Sequence, residues 1–141
     1  MTNFTKRLMI AAATVVVAAG AASAQTLKAD IPFTFRAGQT VLAAGTYEIT
    51  QLLGQTAVTT FRIRGQNGSI MLMPQSANDP KKAWTAEGKP TLAFDCVADH
   101  CALAAIWTGP ATPAYKIRHG DLGSDEPLRV ALVALYAEKS E

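Results

Sequence analysis

From Gln25 onward, apolar side chains recur at every second position far more often than at the 3.6-residue spacing of a helix. Ile31, Phe33 and Phe35 point one way, with Thr34 and Arg36 on the other face. Tyr47 and Ile49 alternate with Thr46, Glu48 and Thr50, and Phe61 and Ile63 alternate with Arg62 and Arg64. Turn-forming clusters stand between these runs: Ala37-Gly38, Ala44-Gly45, Gln66-Asn67-Gly68-Ser69, Asn78-Asp79-Pro80, Glu87-Gly88-Lys89-Pro90 and Thr108-Gly109-Pro110. Short alternating runs punctuated in this way predict an all-β domain, a single antiparallel β-sandwich of about seven to nine strands.

Two hairpins can be given a register. Asn67-Gly68 suits the central pair of a tight turn that needs positive φ at both residues. That placement sets Ile63 opposite Leu72 and Arg62 opposite Met73, with one face apolar and the other carrying the arginines. In the second hairpin, Cys96 and Cys101 flank Val97-Ala98-Asp99-His100. Facing cysteines put Phe94 opposite Leu103 and Leu92 opposite Ala105, all on the cysteines' face, so the disulfide and the hydrophobic pattern require one register. Trp107 then shares a face with Leu103 and is expected in the core.

The segment Leu128 to Ala137 is apolar at both strand and helix spacings. Its alanines and leucines suit a helix that Ser124 or Asp125 could cap. A continuous apolar run also suits a strand buried on both faces, and strand is the expectation.

The first residues read differently. Lys6 and Arg7 precede an apolar run from Leu8 to Ala19, and Ala22-Ser23-Ala24 follows. A positive start, a short apolar stretch and a small-x-small site make a secretory signal peptide over residues 1–24, cut between Ala24 and Gln25. The run falls short of the roughly 20 apolar residues of a membrane span. Residues 25–141 then form one exported domain, periplasmic or secreted, with no membrane span. The chain carries 13 Lys+Arg against 11 Asp+Glu, and Lys6 and Arg7 belong to the leader. The remainder is formally neutral, which removes the electrostatic case for nucleic acid. An outer-membrane barrel fits poorly, because the runs are shorter than spanning strands and the chain ends in Glu138-Lys139-Ser140-Glu141.

Asp30-Ile31-Pro32-Phe33-Thr34-Phe35, followed by Leu42-Ala43-Ala44-Gly45-Thr46-Tyr47-Glu48-Ile49, resembles the opening of a family of small exported bacterial β-sandwich proteins of unknown function. There an IPF-x-F strand precedes an L-P-A-G-x-Y-x-V/I turn and strand. Ala43 stands where the family often has Pro, and the cysteine pair is no part of the pattern. The resemblance implies a β-sandwich and supplies no functional residues. The residues explain the motif themselves: Gly45 permits a tight reversal, after which Tyr47 and Ile49 enter the core face.

Candidate chemistry is thin. In an oxidising compartment, Cys96 and Cys101 are expected to pair as a disulfide. Asp95, Cys96, Asp99, His100 and Cys101 crowd into seven residues, enough donors for a zinc site, but alternation turns Asp95 away from the cysteines and no second cysteine pair exists. Ser124 or Ser69 with His119 and Asp121 would compose a hydrolase, without the Gly-x-Ser-x-Gly elbow. Asp121, Asp125 and Glu126 read as a solvated acidic loop. Among the aromatic residues Trp84, between two turn clusters, is the candidate for a surface contact. No cofactor is called for. The expectation is a non-catalytic accessory or binding module for a protein or glycan outside the cytoplasm; the alternative is a small hydrolase or metal-binding protein centred on His100 or His119.

Overall fold

A computed structural model describes residues 24–53, 58–123 and 125–137. Most of the proposed leader, with Ser124 and the last four residues, lies outside them. The chain is all-β, with eleven strands among the described residues where the sequence suggested seven to nine. The excess comes from three-residue strands that alternation is too short to reveal.

The first sheet has the order β1-β4-β5-β6 and is antiparallel throughout. It comprises β1 (Ala24–Ile31), β4 (Gly45–Leu53), β5 (Thr59–Gly65) and β6 (Gly68–Leu72). The second has the order β11-β8-β9-β10-β7. Its members are β7 (Ser76–Asn78), β8 (Thr91–Val97), β9 (His100–Trp107), β10 (Ala114–Lys116) and β11 (Arg129–Ala134). Two further short strands, β2 (Phe35–Ala37) and β3 (Thr40–Leu42), pair with each other, and β2 adds a parallel bridge to β9.

Both sheets feed one interior. Ile49, Phe61 and Ile63 from the first meet Leu92, Phe94, Leu103 and Ile106 from the second. Pro32 ends the regular pairing of β1 and lets the chain cross between sheets. Phe33 and Phe35 then both reach Phe94 edge-on, at 5.0 and 5.4 Å between ring centres, and Phe35 also meets Tyr47 at 5.3 Å. Such edge-to-face contacts add about 0.5–1.5 kcal/mol per pair beyond area burial.

The C-terminal run is a strand, as expected, but it is buried on one face only. Ala131 and Val133 turn inward while Val130 and Leu132, on the outer face, stay exposed. Beyond it the chain stitches the sheets together. The Leu135 N–H donates to the Pro90 carbonyl, and Tyr136 exchanges backbone hydrogen bonds with Lys28 of β1.

The Asn67-Gly68 register is corrected by two residues. Ile63 faces Ile70, Arg62 faces Met71, and the turn is centred on Gln66-Asn67 between Gly65 and Gly68. A slip of two preserves every residue's face, so Phe61, Ile63 and Leu72 are still buried and Arg64 and Met71 still exposed. On its other side Gly65 faces β4, where a Cβ would stand 2.5 Å from the Tyr47 ring, so the aromatic side chain of β4 lies over a glycine on β5.

The second hairpin follows expectation as far as Phe94↔Leu103, with Cys96 facing Cys101. There a β-bulge intervenes, and Ala93 pairs with Ala105, Leu92 with Ile106. Ala104 is the extra residue, and its carbonyl accepts the Ile117 N–H instead of a partner on β8. The bulge exchanges the two faces of β9. Ile106 enters the shared interior, whereas Trp107 passes to the outer side with Ala93, Ala105 and Ala114.

That outer side is covered by α1 (Lys82–Glu87). Trp84 packs there against Trp107, ring centres 6.5 Å apart, and is only 7% exposed. The surface contact expected of Trp84 is therefore overturned. The alanines of β8, β9 and β10 leave a shallow bed for two indoles, and Lys81 caps the ring at 5.7 Å. Among the described residues, no helix is long and apolar enough to cross a membrane.

Candidate functional site

Cys96, Cys101, Asp95, His100, His119 and Asp121, singled out in the sequence, lie at one end of the second sheet or along its outer face. The β8–β9 hairpin closes on Ala98 and Asp99, with Ala98 at φ 52°. This conformation costs a non-glycine residue about 1–2 kcal/mol. Two constraints hold it: the Cys96–Cys101 disulfide just below and the Arg129 guanidinium, which donates to the Ala98 carbonyl at 2.6 Å. Both cysteines are engaged, Cys96 in the core and Cys101 half-buried.

Beside this turn lies a cleft of about 190 Å³. Its polar lining includes Arg36, Asp99, His100 and Asp121, and Cys101 forms part of its wall. His100 is exposed at its rim. Leu122 and Asp121 reach the cleft from the segment that follows β10.

That segment is tied to the sheet by His119. Its Nε2 lies 2.8 Å from Asp95 Oδ2, and its Nδ1 lies 2.8 Å from the Gly120 carbonyl oxygen. Asp95 is on the outer face of β8, as alternation required, opposite Ala102 of β9 and Val130 of β11. Burial works against the ring's charge, but the hydrogen bonds to Gly120 and Asp95 and the carboxylate's own charge outweigh burial and the repulsion of Lys116. The ring titrates above the usual histidine range.

The geometry separates the proposed constellations. His119 pairs with Asp95, not with Asp121, whose carboxylate instead accepts the Gly123 N–H at 3.0 Å. Ser69 lies on β6 of the other sheet and Ser124 lies outside the described residues. A general base needs a ring nitrogen free to take a proton. Both nitrogens of His119 already face acceptors. Among the described residues, no three metal-ligating side chains come together. The disulfide removes the two thiolates from any such set.

The sequence reading missed one surface. Val130 and Leu132 lie on the outer side of β11, exposed by 49 and 55%, and Leu128, just before the strand, is exposed by 59%. Their spacing of two is visible in the sequence, but not that this strand ends its sheet. No protein-family model, curated protein or solved structure matches the chain.

Proposed function

We propose that the chain is an exported, non-catalytic β-sandwich module that acts outside the cytoplasm, periplasmic or secreted, by binding a protein partner. The observation that carries the binding role is the exposure of Val130 and Leu132 on a terminal strand, with Leu128 just before it. Exposed apolar side chains in a row mark an interaction surface, and an unpaired strand edge offers backbone groups to an added strand. Aliphatic side chains suit a protein better than a glycan, which stacks on aromatic rings; Trp84 and Trp107 are both buried. Export is supported by the disulfide, which persists in oxidising compartments. The likeness of the Asp30–Ile49 opening to exported sandwich proteins points the same way.

The test is a photo-cross-linking residue at position 130 in the protein made by its own cells, with a control probe at position 64 on the other sheet. The reading expects one adduct with another protein from position 130, lost on Leu132→Lys, on a chain beginning at Gln25. Equal labelling from both positions, an adduct only with a second copy, or a full-length chain with two alkylatable thiols would contradict it. So would turnover of a model ester that disappears on His119→Gln.

A further inference from the structure

We propose that His119 is a proton-operated latch that holds the 118–123 segment, and with it one wall of the disulfide-lined cleft, against the outer face of β8. The argument begins with the ring's two partners. A carboxylate oxygen and a carbonyl oxygen are both acceptors, and each lies 2.8 Å from a ring nitrogen. Only the imidazolium carries a hydrogen on both nitrogens. The neutral ring has one, so on losing its proton it keeps one contact at most, and an Nε2–H bond retained to Asp95 is no longer an ion pair.

The position of the latch gives that loss a consequence. Ile117 fixes the near end of the segment, buried and donating to the Ala104 carbonyl. Beyond it, among the described residues, the bond to Asp95 is the one that ties a side chain of 118–123 to a strand. Asp121 and Leu122, two and three residues further on, line the cleft with His100 and Cys101. Releasing His119 frees that wall while the sandwich stays intact.

The charged groups facing the ring are few. Asp95 on β8 favours the imidazolium and Lys116 on β10 opposes it. The neighbouring β9 and β11 present Ala102 and Val130 beside Asp95, which do not titrate. The sign follows from linkage. Below the ordinary histidine value of 6.5 the ring is charged whether the segment is closed or open, and the latch contributes fully. As pH rises above 6.5 and through the raised value of the closed state, the contribution is lost.

The test follows the ring nitrogens and backbone order of the full chain by NMR from pH 5 to 9. At the acid end both His119 nitrogens should carry hydrogen, with cross-relaxation to the Asp95 methylene. Gly120 to Leu122 should then be as ordered as the sheet, with order parameters near about 0.85. Through a midpoint above 6.5 that cross-relaxation should vanish and the order parameters should fall below about 0.6. Asp95→Asn should move the ring and segment transitions together to lower pH. A midpoint at or below 6.5 overturns the proposal. So does a segment that keeps its order through the ring's titration, or an Asp95→Asn chain with both transitions unmoved. The unsubstituted chain alone decides if the variant does not fold.

Discussion

The two tight hairpins, β5–β6 and β8–β9, depart from simple alternation in opposite ways. In β5–β6 the register slips by two and no side chain changes sides. In β8–β9 the turn end pairs as alternation requires, yet one additional residue, Ala104, sends every later side chain of β9 to the opposite face. A shift by an even number is silent in the hydrophobic pattern and a shift by one inverts it. The inversion has a product: a second apolar layer under α1, built on Trp84 and Trp107 outside the main interior.

Inserting an alanine between Ala93 and Phe94 should have the largest effect. It gives Ala104 a partner on β8, removes the bulge and drives Trp107 towards the interior in place of Leu92 and Ile106. The expected cost is about 4 kcal/mol or more of unfolding free energy in urea, the range reserved for gross packing failure. A loss under about 1 kcal/mol would break the contrast between the hairpins.

Replacing Cys96 and Cys101 together by alanine should cost about 2 kcal/mol, the loop-closure entropy of so short a ring. The same titration checks it, and β5–β6 has no equivalent constraint to lose. Gly65→Ala should come next, at about 1–3 kcal/mol, because its methyl group meets the Tyr47 ring edge. Adding Tyr47→Leu should recover part of that loss, which a double-mutant cycle measures. Asn67→Ala should be smallest, within about 0.5 kcal/mol. Asn67 has the negative φ that alanine accepts, whereas the turn first expected would have placed it at positive φ.

The strands that carry the core were legible because Ile31, Tyr47, Ile49, Phe61, Ile63 and Phe94 follow a period of two over long runs. The Cys96–Cys101 facing was legible because pairing chemistry and alternation demanded the same register. Nothing local announces Ala104 as a bulge. It is one alanine among several, and its role depends on Ile117 taking its carbonyl. Trp84 was misplaced for the same reason: the bed it lies in exists only after β8, β9 and β10 are side by side. His119 and Asp95 are 24 residues apart and meet through the return of the chain after β10. Exposure of Val130 and Leu132 likewise depends on what packs over the outer face of the sheet, a property of the assembled fold rather than of the segment.

The surroundings of the Trp107 indole test the account most directly, read from proton cross-relaxation in the folded chain. The bulge predicts contacts with Trp84, Ala93 and Ala114. Contacts with Leu103 and Phe94, without Trp84, would show that β9 alternates unbroken and that the second layer does not exist.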